Sequence, residues 1–293
     1  MPADYKMESS FVKPIRKTMR FNVNLVQHCN LNCISCDHFS PLAAPQFADP
    51  QIYEKDLARL AELFGDQLNR ISLSGGETLL HPQLVEFISL SRRYFPEADL
   101  SLRSNGILLP RLGREFWETC RDKRAGIVIT TYPVKIDRQY IDNMAADYGL
   151  RLSYTGGRRK TMNKPVIDPE AQGDVDYNFK KCHRGNGCLC LQEGRLYTCT
   201  LAPTARHLNE FFGQKLELSE NDSIDFHRAG SAEDVLDFLR RPIPFCRYCD
   251  MRTRIKGITW RPSEKKIDEW FLTEDEKKKR DFWRKLRCFF GGK

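Results

Sequence analysis

The sequence predicts an α/β fold in which βα units build a parallel sheet that curls into a barrel or part of one. Two observations carry this expectation. Strand-like runs alternate with amphipathic helical runs from residue 21 to residue 154, the pattern of βα units around a parallel sheet, and right-handed crossovers would curl that sheet. Residues able to bind a ligand also recur where strands end, which is where α/β barrels place their sites. Cys29 to Cys36 follow the first strand, Gly75, Gly76 and Glu77 the second, and Ser104 and Asn105 the third.

The elements follow in order. Residues 1–18 are polar and irregular, a loose lead-in. Residues 21–26 alternate apolar and polar and read as the first strand. Asp49-Pro50 is an N-cap with proline at the first helical position, opening a helix whose apolar face is Ile52, Leu57, Leu60, Leu63 and Phe64 and which ends near Gly65. Residues 70–74 form a short strand that runs into Gly75-Gly76-Glu77, where glycine permits a sharp turn and close approach of a ligand. Helices are expected over 82–94, 111–121 and 137–148, and strands over 98–103, 126–131 and 150–154. Residues 189–200 read as a hairpin turning at Glu193-Gly194. Helices over 204–212 and 231–241 follow, and residues 258–260 are expected to return to the sheet.

The chain has 293 residues, material for one or two domains. No apolar run approaches a membrane span. Residues 1–20 lack the apolar core of a signal peptide, so export is not expected. Eleven cysteines then point to a cytoplasmic, reducing setting and to metal or catalytic thiols rather than disulfides. The net charge of +8 suits an anionic substrate or surface. Nothing matches a nucleic-acid-binding module, and that class is set aside.

Three of the cysteines, Cys29, Cys33 and Cys36, fall within eight residues. Soft thiolates this close suit one inorganic cluster. Three ligands leave a fourth iron position open to something that is not protein. A zinc knuckle is the alternative, with His28 or His38 completing it. The spacing CxxxCxxC, followed some forty residues later by Gly75-Gly76-Glu77 after a strand, resembles the radical S-adenosylmethionine (radical SAM) superfamily. That resemblance implies a partial (βα)6 TIM-like barrel and a [4Fe-4S] cluster on Cys29, Cys33 and Cys36. S-adenosylmethionine would chelate the fourth iron, with its amino group at Gly75, Gly76 and Glu77 and its ribose near Ser104 and Asn105. The family commonly carries an aromatic residue before the third cysteine to pack on adenine. Here that residue is Ser35, so His38 or Phe39 is the expected substitute surface.

A second cysteine group follows. Cys182 precedes Gly194 by twelve positions and Cys199 follows it by five; Cys246 and Cys249 form a CxxC pair. This arrangement is similar to the twitch domain, the shortened SPASM domain of some radical SAM enzymes, and also to a twitch dehydrogenase of aminocyclitol antibiotic assembly. It implies a second [4Fe-4S] cluster on Cys182, Cys199, Cys246 and Cys249, with four-cysteine zinc as the alternative. Cys188 and Cys190 remain: either could take the place of Cys182, both could be buried thiols, or one could donate a hydrogen atom to a substrate radical.

The expected domains are a barrel over 19–160, a twitch-like domain over 161–262 and a basic C-terminal helix over 263–293. That helix, with Phe282, Trp283, Leu286 and Phe290 at helical spacing, packs on the barrel with a solvated basic face or, on the sharper reading, touches anionic lipid or a lipid-linked substrate. The resemblance implies an oxidoreductase or epimerase-type enzyme acting on a small molecule, with a sugar, cyclitol or nucleotide-sugar preferred and alcohol oxidation leading. Arg158, Arg159 and Lys160 are candidates to meet its hydroxyls or phosphates. An electron donor such as flavodoxin or ferredoxin is implied. Epimerisation, peptide modification and a non-catalytic iron–sulfur or zinc binding module are the other readings.

Overall fold

The computed structural model describes residues 20–156, 160–182, 185, 189–253 and 255–289, with side chains to residue 282. Residues 1–18, Arg158, Arg159 and Cys188 lie outside the described residues, as do the side chains of Trp283, Leu286 and Cys288 and the whole of Phe290.

Six parallel strands define the frame. The chain runs β1 (Arg20–Val26), α1 (Pro50–Phe64), β2 (Arg70–Gly75), α2 (Leu84–Tyr94), β3 (Asp99–Ser104), α3 (Arg114–Asp122), β4 (Gly126–Thr130), α4 (Arg138–Asp147) and β5 (Leu152–Thr155). It continues with β6 (Thr161–Lys164), α5 (Val175–Lys181), the hairpin β7 (Leu189–Gln192) and β8 (Arg195–Tyr197), then α6 (Leu201–Thr204), α7 (Arg206–Phe212) and β9 (Ile224–Asp225). Last come α8 (Ala232–Leu239), β10 (Ile255–Thr259) and α9 (Glu274–Phe289). The main sheet has the order β5-β4-β3-β2-β1-β7-β8-β9. It is parallel from β5 to β7, and β8 and β9 are added antiparallel. This is a mixed α/β, parallel-dominated sheet, as a partial barrel of the expected kind requires.

Local chemistry explains the helices. The Asp49 carboxylate accepts from the N–H groups of Gln51 (2.7 Å) and Ile52 (3.1 Å), and Pro50 opens α1 where its missing N–H costs nothing. Asp137 caps α4 and Ser231 caps α8 in the same way.

Strand alternation splits the sheet into two faces. Phe21, Val23, Leu25, Ile71, Leu73, Leu100, Leu102, Ile127 and Ile129 share one core with Leu57, Leu60, Phe87, Ile88 and Trp117 of the helices. Each such side chain contributes about 1.5–3 kcal/mol on burial. On the other face, register sets Asn22 beside Ser72, Ser72 beside Ser101, and Cys190 beside Asn22. The inner face is therefore polar.

Two expectations need correction. The β7–β8 hairpin is not detached from the barrel: β7 pairs in parallel with β1, so the sheet crosses the expected boundary at residue 160. Residues 258–260 do not return to the main sheet. β10 pairs antiparallel with β6 in a separate two-stranded ribbon. The reason is tertiary. Ile258 and Trp260 are half-buried and pack with Met162 against Leu31, Cys33 and Ile34 of the cysteine loop, an apolar cluster distinct from the main core. The ribbon is tied to α9 by buried Lys164, whose Nζ lies 2.8 Å from Glu276. Among the described residues no helix is long and apolar enough to cross a membrane.

Candidate functional site

The cysteine loop leaves β1 at Val26 and meets the end of β2 at very short range. Gly76 N–H donates to Val26 O (2.6 Å) and Glu77 N–H to His28 O (3.0 Å). A Cβ on Gly76 would stand 2.0 Å from His28 O; one on Gly75, at φ +133°, would stand 2.4 Å from Val26 O. No side chain fits at either position. The close approach expected of a ligand is made here by the protein's own chain, and it fixes where the loop starts.

Glu77 is buried, and its carboxylate is a hub. Oε1 accepts from Ser104 Oγ (2.7 Å) and Leu79 N–H (3.2 Å), and Oε2 from Asn105 N–H (2.9 Å). Burial raises its pKa, and these three hydrogen bonds pull it back. Three of the roughly four acceptor positions of a carboxylate are used within the protein. Ser104 and Asn105, expected to meet a ribose, turn toward Glu77 with the Ser104 hydroxyl and the Asn105 backbone. The Asn105 side chain reaches the loop, donating to Asn30 Oδ1 (2.8 Å) with Cys29 Sγ at 3.9 Å.

These pieces surround one cavity of about 160 Å³. Cys29, Cys33, Cys36, His38, Gly75, Gly76, Glu77, Ser104 and Asn105 line it, so the structure brings these expected site residues together. It also adds residues the sequence did not single out: Asp37, Ser40, Ser74, Arg103, Thr130, Tyr132 and Met162. Arg103 is held by its Nε donating to Ser72 Oγ (3.0 Å). The Ser40 hydroxyl is buried without a hydrogen-bond partner, a buried polar atom at the wall of a site fitted for a polar ligand. Strand alternation was the signal available for Ser74, Arg103 and Thr130, since inward positions at strand ends face the site.

Two expected residues do not belong to the cavity. Ser35 is buried, and its hydroxyl donates to Glu269 O (2.8 Å). Phe39 is fully buried and packs edge-on against Trp270, with ring centroids 6.4 Å apart. Both face the second core, so of the expected adenine-stacking residues only His38 reaches the cavity wall. Cys190 is also buried, on β7 among the inner-face residues, and does not line this cavity.

Electrostatics at the loop favours a bound cation or cluster. Burial pushes the Cys29 thiol up to about 11 and the Cys36 thiol up to about 12, with Glu77 and Asp37 adding to the respective rises. Thiolate formation here needs positive charge supplied from outside, and metal binding releases the thiol protons. Among the described residues, no three His, Cys, Asp or Glu side chains are grouped to hold a single metal ion. The donor set of three cysteines at the wall of an open polar cavity fits a cluster with one position left for a ligand.

A second, smaller cavity is lined by Cys182, Cys199, Cys246 and Cys249 together with Phe179, Leu201, Phe245 and Met251. Burial raises Cys246 well above the ordinary thiol value, and the nearby Cys249, Cys199 and Cys182 add to the rise. Asn178 stitches the CxxC turn together: its Nδ2 donates to Cys246 O (3.0 Å) and Cys249 O (2.6 Å), and its Oδ1 accepts from Met251 N–H (3.1 Å). Cys120, by contrast, is buried alone in α3, where burial pushes it up to about 12.

Comparison with known proteins points the same way as the cysteine loop. The chain is 32% identical over 108 residues to a probable GTP 3',8-cyclase of Pyrococcus abyssi, covering 37% of this chain and 34% of that protein. It is 29% identical over 100 residues to GTP 3',8-cyclase of Nautilia profundicola, covering 34% of this chain and 31% of the relative. The chain thus spans about a third of the length of these curated relatives. The crystal structure of BtrN in complex with AdoMet and 2-DOIA matches the fold with a TM-score of 0.51 at 15% identity, over 81% of this chain and 94% of that one. Together with the three-cysteine loop and Gly75-Gly76-Glu77, these likenesses support a radical SAM superfamily enzyme. No protein-family model matches it. Within the superfamily frame, the cavity at the strand ends and the three-cysteine loop occupy the same end of the sheet.

Proposed function

We propose that this chain is a radical SAM enzyme that oxidises an alcohol of a small polar substrate, a sugar, cyclitol or nucleotide-sugar. Cys29, Cys33 and Cys36 would hold a [4Fe-4S] cluster with S-adenosylmethionine in the cavity beside it. When bound, the pair supplies a 5′-deoxyadenosyl radical that removes a hydrogen atom from substrate carbon. Completing the oxidation requires one proton and one electron to leave the substrate. Asp37 and His38 stand at the cavity wall to take the proton. Arg103, held by Ser72, meets a hydroxyl or phosphate of the substrate. Tyr132 and Met162 form the apolar part of the wall and help exclude water. The carbon must sit close to the radical, so this positioning is the protein's main contribution.

One observation carries the oxidation reading: four cysteines, Cys182, Cys199, Cys246 and Cys249, meet at a second cavity walled by apolar side chains. That donor set suits an auxiliary [4Fe-4S] cluster able to accept the second electron. Of the two hydrogen-atom donor candidates for an epimerase, Cys190 does not line the cavity and Cys188 lies outside the described residues. External electrons would come from a flavodoxin or ferredoxin.

The test is iron and sulfide content with electron paramagnetic resonance after anaerobic reconstitution, for wild type and a Cys29/Cys33/Cys36→Ala triple variant. The variant is expected to keep about four irons and to give no 5′-deoxyadenosine. Zinc in place of iron in the variant would make the second cysteine group structural and remove the electron acceptor on which oxidation depends.

A further inference from the structure

The ribbon β6–β10 does more than cover the cysteine loop. The residues that follow β10 are bonded to that loop at three points. Ile34 N–H donates to Arg261 O (3.0 Å), Ser263 N–H donates to Asn32 O (2.7 Å), and Cys33 forms a β-bridge with Pro262. Immediately before these anchors the Trp260 indole Nε1–H donates to Cys33 Sγ at 3.1 Å. The indole also rests against Tyr132 of the cavity wall, centroid to centroid 6.3 Å, and the backbone N–H of Trp260 donates to Lys160 O (2.8 Å), which holds the residue in place. Elsewhere in the loop Leu31 N–H donates to Cys29 Sγ at 3.4 Å, and Asn105 Nδ2 lies 3.9 Å from the same sulfur. Trp260 therefore brings a donor from 227 positions away in sequence to a cluster cysteine.

We propose that Trp260 is a positioning residue that orients the Cys33 thiolate and sets the reduction potential of the cluster on Cys29, Cys33 and Cys36. This rests on the reading that those cysteines hold a cluster. A hydrogen bond to a ligating sulfur withdraws electron density from it and favours the reduced, more negative state of the centre. The bond lies under an apolar lid of Ile258, Met162 and Leu31, where a charge-assisted donor acts with little screening by water. The ribbon thereby couples the C-terminal part of the chain to the redox properties of the N-terminal loop.

The experiment is a reductive titration of the reconstituted full chain followed by electron paramagnetic resonance, for wild type, Trp260→Phe and a protein carrying the benzothiophene isostere of tryptophan at 260. The isostere keeps the shape of the ring and lacks the N–H. With the Cys246/Cys249 pair replaced by alanine in every sample, the signal comes from the first cluster alone. Both replacements are expected to shift its midpoint to lower potential, with iron content unchanged. An unchanged midpoint in the isostere protein, with its iron retained, overturns the proposal. Absence of iron from the Cys246/Cys249→Ala background with an intact Cys29, Cys33 and Cys36 overturns the cluster reading itself, and so separates the two failures.

Discussion

The two cysteine centres use the same atom type in opposite ways. The first draws its candidate ligands from eight consecutive residues and opens into a cavity of about 160 Å³ walled by Arg103, Asp37, His38 and Tyr132. The second gathers Cys182, Cys199, Cys246 and Cys249 from distant parts of the chain into a smaller cavity walled by Phe179, Leu201, Phe245 and Met251. An incomplete ligand set beside polar groups is what a reacting centre needs, because something else must bind. A complete set in an apolar shell suits a centre that stores charge or holds structure. Trp270 joins them. It is fully buried, its indole N–H donates to Cys36 O (2.9 Å), and its carbonyl accepts from Ile167 N–H (3.3 Å), while Ile167 is bridged to Cys249.

The largest effect should come from emptying one centre at a time. Cys33→Ala is expected to abolish 5′-deoxyadenosine formation. Cys246→Ala with Cys249→Ala is expected to leave 5′-deoxyadenosine formation measurable while the oxidised product disappears, as read by liquid chromatography of both products. Equal loss of both in the second variant would break the division of labour.

Trp270→Ala should damage both centres together. Removing a fully buried tryptophan costs about 3–5 kcal/mol, read as a lower midpoint in urea denaturation, with iron lost from both sites. Glu276→Gln acts on the ribbon only. It leaves the buried Lys164 ammonium without its ion pair, and because Glu276 is partly exposed the cost should be about 2 kcal/mol, below the ~3–5 of a fully buried pair. Iron should fall at the first centre and stay at the second. Glu77→Gln keeps the shape of the hub but turns one acceptor into a donor facing Ser104 Oγ or Asn105 N–H. The expected cost is about 1–2 kcal/mol, with weaker S-adenosylmethionine binding by equilibrium dialysis and an unaltered second centre.

The smallest effect is pH dependence at the seam between the two regions. His207 of α7 is buried, with Nε2 3.1 Å from Gln27 Oε1 at the start of the cysteine loop. Burial pushes its imidazole down to about 4 from the ordinary 6.5. Between those values the unfolded chain binds more protons than the folded one, so stability rises with pH through that window and falls on acidification. Urea midpoints measured from pH 7 to pH 4 should decline for wild type and decline less for His207→Gln.

Much of this was legible in the sequence, and particular residues show why. Asp49-Pro50 fixed the start of α1 and Glu193-Gly194 the hairpin turn, because capping and turn chemistry act over a few residues. β6 and α5 gave no expectation: residues 161–164 are polar but for one methionine, and residues 175–181 are too short for a clear helical period. The second ligand group was found through cysteine spacing, yet nothing local tells that Cys182 and Cys246 share a wall. Ser35 and Phe39 were misplaced because three neighbouring loop residues, Asn32, Ser35 and Phe39, all take positive φ and reverse the direction of the chain. Asparagine takes such a conformation readily, but serine and phenylalanine ordinarily avoid it, so the turns at Ser35 and Phe39 cannot be read from residue type.

By itself, the sequence determined the parallel α/β frame, the family resemblance and the cysteines that gather at each cavity, since these depend on strand period, local spacing and thiolate chemistry. The tertiary structure alone decided what surrounds the cysteines. It turned Glu77 inward to hold Ser104 and Asn105, joined the β7–β8 hairpin to β1, laid the β6–β10 ribbon over the first loop, and brought Trp260 to Cys33 and Trp270 to Cys36. The physical reason is range. Periodicity and capping are written within one turn or one strand, whereas hydrogen bonds and apolar contacts between residues more than two hundred positions apart exist only once the chain has closed on itself.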